Sequence, residues 1–256
     1  MNILQQIAAS TAQRVVRDKA AGLPARTHPP RTPFLFETNL RTPGVSFICE
    51  VKKASPSKGV IAEEFPYLEI ARAYERGGAD AISVLTEPDY FQGCARYLAE
   101  IRAAVASPLL RKDFIIDPFQ IEEAAALGAD AVLLICAILT PAQLKEYHAL
   151  ADKLGLSCLV EAHDEAEVKT ALAAGARIIG VNNRDLKTFT VDTSNSIRLR
   201  KLVASDILFV AESGVRTAQD VALLRAHNIS AVLVGETLMR APDQAAMLSS
   251  LRGEAQ

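Results

Sequence analysis

The chain has 256 residues, 50% of them hydrophobic, which is enough for the core of one large α/β barrel or of two smaller domains. Its 28 basic residues face 30 acidic ones, Trp is absent and aromatic residues make up 5%, so neither a basic surface for a nucleic-acid backbone nor base-stacking platforms are expected. No secretory signal peptide and no long apolar run is present, so we expect a cytoplasmic protein without a membrane span.

The N-terminal segment is predicted to form a helical extension on a larger body. Apolar residues recur at helical spacing over residues 2–19, and the Pro-rich stretch 23–33 then indicates a connector. This segment is too short to bury a core of its own. We therefore expect a single domain over residues 1–256, with the extension at 1–44 and the main body at 45–256.

From residue 45 onwards, short apolar segments alternate with amphipathic ones. The predicted strands are 46–52, 80–85, 108–112, 130–135, 157–161, 177–182, 207–211 and 231–235. The predicted helices between and after them are 66–76, 94–105, 118–127, 141–154, 164–174, 194–203, 217–227 and 243–252. Near-continuous apolar runs such as AVLLI are typical of parallel strands that are covered on both faces.

Eight strand–helix units in this order predict an α/β fold of the (β/α)8 TIM barrel type, with the N-terminal helical extension packed on it. A quasi-repeat supports the barrel, since similar strand segments recur as GADAISVL (78–85), GADAVLLI (128–135), GARIIGV (175–181) and ISAVLVG (229–235). A doubly wound open sheet is the structural alternative. Such a sheet usually carries a GxGxxG turn after an early strand, which this sequence lacks.

Charged and polar residues stand at the carboxyl ends of the predicted strands, where barrel enzymes place their chemistry. In FICEVKK, Glu50 and Lys52 alternate with Cys49 and Val51, so we expect the charged pair in the barrel mouth and the apolar pair against the helices. The corresponding residues of strands three, five, six, seven and eight are Lys112, Glu161, Asn182, Arg184, Glu212, Ser213, Gly235 and Glu236. Opposite charges in one mouth offset each other's cost of burial, so this set predicts an active site rather than a structural ion-pair network.

A phosphate site is predicted after strands seven and eight. Both loops carry glycine next to polar residues, and glycine lets backbone N–H groups approach an anion closely. These residues are Ser213, Gly214, Gly235 and Glu236. Lys52 and Arg184 could add side-chain charge to the same phosphate.

Long motifs then match one protein family in order along the chain. They are EVKKASPS (50–57), LTEPDYFQG (85–93), RKDFIID (111–117), LVEAHDEAE (159–167), GVNNRDL (180–186), VAESGV (210–215) and VGETLMR (234–240). With these motifs the sequence resembles indole-3-glycerol phosphate synthase, the barrel enzyme of tryptophan biosynthesis, over essentially its whole length. No charged mouth position departs from the family pattern. The chain stops just after the eighth helix, so we expect the monofunctional enzyme.

The resemblance implies a carboxy-lyase that converts 1-(2-carboxyphenylamino)-1-deoxyribulose 5-phosphate into indole-3-glycerol phosphate, carbon dioxide and water. The aromatic carbon that carries the carboxylate attacks the C2′ carbonyl, whose oxygen needs a proton donor; carbon dioxide, a hydroxyl and a proton then leave. This chemistry needs an acid, a base and cations but no cofactor. The expected partner is the small sugar-phosphate substrate, with no nucleic acid, membrane or obligate protein partner.

By the same resemblance, Lys112 is the candidate general acid at the carbonyl, and Glu161 is the candidate for proton transfer at the later steps. Glu50 would orient and tune the lysines. Lys52 would bridge phosphate and sugar, and it is a second candidate acid for the dehydration. A lysine is a useful acid when its pKa lies near neutrality, and we expect the crowded mouth to lower the pKa in this way.

The remaining expected contacts are to the sugar, the phosphate and the aromatic ring of the substrate. Asn182 and Glu212 are expected to bind sugar hydroxyls. Phe91 and Phe114 are candidates to pack on the anthranilate ring, and loop 54–65 is expected to be mobile and to close over the substrate. The expected phosphate shell is Ser55, Arg184, Ser213, Gly214, Gly235 and Glu236, the last through its backbone N–H.

The cysteines and histidines are expected to have no catalytic role. No CxxC, HxH or HExxH motif occurs, so no metal is predicted. The cysteines are predicted to be small buried residues in a reducing compartment, and three of them lie in apolar runs that indicate strands. The cysteines are Cys49, Cys94, Cys136 and Cys158, of which Cys94 is the one outside such a run. The histidines expected on the surface are His28, His148, His163 and His227.

Two other functions stay open at this point. Another phosphate-binding barrel, such as phosphoribosylanthranilate isomerase, would need a Cys and Asp acid–base pair at strand ends, and Cys49 is predicted to point outward. A non-catalytic barrel that serves as a partner subunit would be expected to lose charged mouth residues, and none is lost here.

Overall fold

Eight parallel strands form a closed barrel in a computed structural model that describes residues 3–26, 28–185 and 189–254. Each strand pairs with its neighbour along the chain, and the last pairs with the first. The strands are β1 (Ser46–Val51), β2 (Ala81–Leu85), β3 (Leu109–Lys112), β4 (Ala131–Ile135), β5 (Ser157–Ala162), β6 (Ile178–Asn182), β7 (Leu208–Glu212) and β8 (Ala231–Val234). The predicted TIM barrel is confirmed, and each predicted strand boundary lies within one residue of the observed one.

One principal helix follows each barrel strand. These helices are α1 (Tyr67–Arg76), α2 (Ala95–Ala104), α3 (Pro118–Leu127), α4 (Pro141–Lys153), α5 (Glu165–Ala173), α6 (Ser194–Arg200), α7 (Ala218–Ala226) and α8 (Gln244–Arg252). The predicted N-terminal helix spans Ile3–Ala21. The short elements among the described residues were not predicted, because one helical turn or a two-residue strand is too short to show periodicity. They are the helices Leu35–Asn39, Pro88–Phe91 and Glu236–Met239 and a hairpin of Ala54–Ser55 with Gly59–Val60.

The sharp boundaries of α3 and α4 follow from local chemistry. The Asp117 side chain accepts a hydrogen bond from the backbone at the start of α3, where Pro118 occupies the first turn without needing an N–H partner. Gly128 ends α3 at φ 90°, a left-handed conformation that costs glycine little. Thr140 and Gln143 form a reciprocal capping box at the start of α4.

Side chains of the barrel strands divide the apolar core into two layers. An inner layer fills the barrel with Ile48, Leu110, Leu133, Leu159, Val210 and Leu233. The outer layer lies between strands and helices and includes Cys49 and Val51. Glu50, between these two residues, therefore points to the inside of the barrel, as the alternation predicted. The outward side chain of Cys49 does not favour the isomerase alternative.

Not all predictions for cysteines and histidines hold. The cysteines are free thiols; Cys49 and Cys158 are buried as expected, whereas Cys136 lies one residue beyond β4 and is half-buried. The surface expectation is wrong for His148, which is 5% exposed because it lies on the face of α4 that packs against the barrel. It is also wrong for His163, whose side chain is 22% exposed. Within the described ranges, no helix combines the length and apolar composition needed to cross a membrane.

The N-terminal helix is held on the barrel by buried apolar residues and by ion pairs. Ile7 and Val15 are buried side chains of this helix. Arg14 Nη2 lies 2.7 Å from Asp113 Oδ1, and the Asp113 side chain is completely buried. Lys19 Nζ lies 2.7 Å from Asp117 Oδ2 farther along the helix. Because Asp113 directly follows the last residue of β3, the Arg14 pair ties this helix to the mouth of the barrel.

We predict that Arg14→Ala lowers the free energy of unfolding by about 1–3 kcal/mol, because a buried carboxylate loses one of its cations. The loss should appear as a lower melting temperature in calorimetry. Arg17→Ala, at an exposed position of the same helix, is the control and should change stability by less than about 0.5 kcal/mol. Equal losses in the two variants would contradict a specific role of the Arg14–Asp113 pair.

Candidate active site

A cavity opens at the carboxyl ends of the barrel strands, between the mouth and the N-terminal helix. All of the predicted site residues except Gly214 and Glu236 line it: Glu50, Lys52, Ser55, Phe91, Lys112, Phe114, Glu161, Asn182, Arg184, Glu212, Ser213 and Gly235. In the part of the chain that the structure describes, no group of three His, Cys, Asp or Glu side chains could hold a metal ion.

A cluster of buried charges forms the floor of the cavity. Lys112 Nζ lies 3.5 Å from Glu161 Oε2 and 3.8 Å from Glu212 Oε2. Glu50 is paired with Lys52 in the same cavity. Apart from the neighbours Glu50 and Lys52, these residues are far apart in the sequence, and they meet because each stands at the end of a parallel strand or just beyond it.

Lys112 is held in its charged form. Burial alone would lower its pKa, but the carboxylates of Glu161, Glu212 and Glu50 outweigh burial and raise the pKa above the usual value. The expectation that the crowded mouth lowers the pKa of the acid lysine is therefore wrong for Lys112. The reason is the number of carboxylates around this ammonium group.

Glu161 and Glu212 have pKa values that move in opposite directions. Burial raises the pKa of Glu161, but the positive charges of Lys112 and His163 outweigh it and lower the pKa. For Glu212, burial and the neighbouring Glu161 charge raise the pKa to about 8. Glu161 is therefore the stronger acid of two neighbouring carboxyl groups, an arrangement suited to acid–base chemistry.

Two glycines, which have no Cβ atom, make room for these charged side chains. A Cβ atom at Gly180 would touch the Glu212 carboxylate. One at Gly235 would lie 2.5 Å from Glu50 Oε1 and 2.9 Å from Lys52 Nζ. Gly180 was not predicted as a site residue, although it stands in the GVNNRDL motif beside Asn182.

Asn182 links the loops that follow β6 and β7. Its Oδ1 accepts hydrogen bonds from the Arg184 backbone N–H at 3.1 Å and from the Ser213 hydroxyl at 3.0 Å. The Arg184 guanidinium also donates to the carbonyl of Phe189 at 3.3 Å. These bonds hold the Arg184 side chain and the Ser213 hydroxyl at one side of the cavity, where both line it.

Gly214 and Glu236 lie outside the cavity lining. Gly214 has φ 94°, a left-handed backbone that favours glycine. The Glu236 carboxylate lies 3.2 Å from Arg240, 3.6 Å from Lys58 and 3.9 Å from Arg184. Three cations thus gather around this carboxylate at the edge of the site, which makes the edge locally basic. The predicted phosphate contacts of Gly214 and Glu236 stay predictions.

Apolar side chains form another part of the cavity lining. Phe91 and Phe114 both belong to it, with ring centroids 6.0 Å apart and planes tilted by 36°. The N-terminal helix adds Ile3, Leu4 and Ile7. Sequence reasoning missed these three residues, because helical periodicity shows that a face is apolar but not what it covers.

The loop after β1 forms a hairpin at the cavity. Ser55, Pro56 and Ser57 at its turn line the cavity. Lys58 Nζ, also in the turn, lies 3.6 Å from Glu236 Oε1. Glu236 follows β8, the strand that pairs with β1. The position fits a loop that covers the site, and its predicted mobility stays a prediction.

The chain matches one enzyme family over nearly all of its length. The family model described as indole-3-glycerol phosphate synthase matches residues 2–251. The indole-3-glycerol phosphate synthase of Ruminiclostridium cellulolyticum is 58% identical over 264 residues, which cover 99% of this chain and 100% of the relative. That of Endomicrobium trichonymphae is 52% identical over 256 residues, covering 98% of this chain and 99% of the relative.

Solved structures of other enzymes share the architecture at low sequence identity. The 3-hexulose-6-phosphate synthase from Salmonella typhimurium has a TM-score of 0.67 at 16% identity and covers 82% of this chain and 97% of its own. KGPDC from Streptococcus mutans has a TM-score of 0.64 at 13% identity and covers 82% of this chain and 96% of its own. At such identities the likeness establishes the barrel fold alone.

We predict that Glu212→Gln is more stable than the wild type at alkaline pH. The pKa of Glu212 is raised from 4.5 to about 8, so its contribution to stability is fully present below pH 4.5 and is lost as the pH rises through 8. A glutamine does not suffer this loss. The difference in melting temperature should therefore be largest near pH 9 and small near pH 4.

Glu165→Gln serves as the control for that measurement, because the Glu165 side chain is 54% exposed in a surface ion pair. A stability gain for Glu212→Gln that does not depend on pH would contradict the inferred protonation of Glu212.

Proposed function

The chain belongs to the indole-3-glycerol phosphate synthase family, and we propose that the cluster around Lys112 carries out the ring closure of that family. The enzyme is a carboxy-lyase of tryptophan biosynthesis. It converts 1-(2-carboxyphenylamino)-1-deoxyribulose 5-phosphate into indole-3-glycerol phosphate, carbon dioxide and water. The observation that carries the proposal is one buried ammonium group within 3.8 Å of two buried carboxyl groups.

Lys112 interacts with the C2′ carbonyl oxygen of the substrate. When the aromatic carbon attacks, negative charge develops on the carbonyl oxygen, and a fixed cation in a water-poor site stabilises that charge. The raised pKa of Lys112 does not prevent proton donation, because an alkoxide is a stronger base than a lysine amine. Lys112 therefore first stabilises the negative charge on the oxygen and then donates a proton to it.

Glu161 accepts the proton that leaves when the indole ring is restored. Its lowered pKa keeps it ionised at neutral pH, as a base requires. Lys52 is the second cation of the site and the candidate acid for expulsion of the hydroxyl. Glu50 holds Lys52 in place through their ion pair. Glu212 and Asn182 bind the sugar hydroxyls.

The phosphate binds at the side of the cavity where Arg184 and Lys52 supply positive charge. Hydroxyl and backbone donors complete this shell, which consists of Ser55, Ser213, Gly214, Gly235 and Glu236. The anthranilate ring packs at the other end on Phe91 and Phe114. The charged and apolar sides of the cavity thus match the two ends of the substrate.

The chain is proposed to act as one unit, with the extension at 1–44 packed on the barrel at 45–256. Support comes from Ile3, Leu4 and Ile7, which belong to the extension and line the barrel cavity. A cytoplasmic location and independence of a protein partner are proposed as well, and the free thiols are in keeping with a reducing compartment.

We predict that Lys112→Ala lowers kcat by about 10²–10⁴ and changes KM little, because the lysine is needed mainly in the transition state. The assay mixes purified protein with the carboxyphenylamino sugar phosphate, without metal or nucleotide, and follows indole fluorescence. Lys153→Ala, at an exposed end of α4, is the control. Near-normal turnover in Lys112→Ala would show that another group is the acid.

We predict that Arg184→Ala raises KM by about ten- to a hundredfold with a smaller change in kcat, because a charge-assisted contact to phosphate is lost. The same fluorescence assay measures both constants. Arg198→Ala, which removes a cation from an exposed ion pair with Glu165, should leave KM unchanged. If KM of Arg184→Ala stays at the wild-type value, Arg184 does not bind the phosphate.

A further inference from the structure

His163 lies between two carboxylates at the end of β5. Its Nε2 is 3.4 Å from Glu161 Oε1, on the side of the active site. Its Nδ1 is 3.0 Å from Glu167 Oε2, and the same oxygen accepts the His163 backbone N–H at 2.8 Å. The two ring nitrogens therefore face two different acids, one buried in the site and one in the first turn of α5.

The position of this imidazole is fixed by the surrounding structure. Two bonds to Glu167 hold the ring and the backbone of His163, and the Asn195 side chain donates to the His163 carbonyl at 3.2 Å. The backbone N–H of Glu167 in turn donates a hydrogen bond to the side chain of the cap residue Asp164. Within the described residues, Nε2 is buried without a hydrogen-bond partner, so its nearest counterpart is the Glu161 carboxylate.

Glu161 thus lies between two cations. Lys112 approaches Oε2 at 3.5 Å, and His163 approaches Oε1. Burial would lower the pKa of His163, but the hydrogen bond to Glu167 and the charge of Glu161 raise it to about 9, so the ring is an imidazolium at neutral pH. Asp164, Cys136 beyond β4 and Glu212 of β7 also lie near this pair, and a neighbouring cavity is lined by His163 together with Asp185, Asp192 and Arg198.

We propose that His163 is a positioning residue for the ring closure: held by Glu167, it keeps the Glu161 carboxylate ionised and in place as the base. The inference rests on the role proposed above for Glu161. The reason is that the Lys112 ammonium group stabilises the substrate oxygen as the alkoxide forms. Its charge is then less available to Glu161. With Lys112 as its sole cation, Glu161 would then keep only the hydrogen bond of the Asn182 side chain, and its buried carboxylate would take up a proton more readily.

The test is the pH dependence of kcat for His163→Gln, which removes the charge and keeps a polar side chain. The acidic limb of the profile, where Glu161 becomes protonated, should move up by about one pH unit, while KM stays near the wild-type value. His163→Lys restores a cation and should return the limb toward its original position. His227→Gln, at an exposed position, is the matched control and should leave the profile unchanged.

A titration of the histidine ring resonances by NMR tests the charge of His163 directly and needs no catalytic variant. The wild-type resonance should titrate near pH 9, and Glu167→Gln should lower that midpoint by more than about one pH unit. A midpoint near the ordinary value of 6.5 in the wild type would overturn the inference.

Glu161→Gln separates this inference from the role on which it rests. If Glu161→Gln is inactive and the acidic limb of His163→Gln does not move, the inference alone is overturned. If Glu161→Gln turns over at the wild-type rate, the proposed role of Glu161 fails, and the inference about His163 fails with it.

Discussion

The active site depends on the attraction between the Lys112 ammonium group and the carboxylates that surround it. An isolated charge at this depth would cost several kcal/mol, and the attraction among opposite charges offsets that cost. Glu50 and Glu161 each have a further cation beside them, Lys52 and His163 respectively, whereas Glu212 forms an ion pair with Lys112 alone among the described residues. The pKa of Glu212 is raised as a result, while that of Glu161, with a second cation on its other oxygen, is lowered. Unequal environments turn two chemically identical side chains into different reagents.

The barrel makes this cluster possible by bringing distant residues to one place and keeping the rest of the molecule apolar around them. Parallel strands end at the same edge, so residues from β1, β3, β5 and β7 meet without long loops. Glycines at Gly180 and Gly235 leave room where a Cβ atom would collide with a charged group. The N-terminal helix covers the apolar side, which restricts water and strengthens the electrostatic interactions inside.

The errors in the sequence-based predictions share one physical origin. The pKa of Lys112 was expected to fall, yet it rises, because its value depends on how many carboxylates lie within a few ångströms. His163 was expected on the surface, yet its loop places the ring between Glu161 and Glu167. Ile3 and Ile7 were recognised as helical but not as part of the cavity wall. All of these properties depend on distances between residues that are remote in the chain.

The sequence by itself determined the eight strand–helix units, the charged residues at the strand ends and the family. These depend on the period of two along a strand, on the start and stop signals of helices and on ordered motifs, all of which are local in the chain. Tertiary structure alone decided which carboxyl group holds a proton and which apolar face closes the cavity. Desolvation and Coulomb energies depend on the spatial surroundings of a group, and those exist only once the barrel has closed.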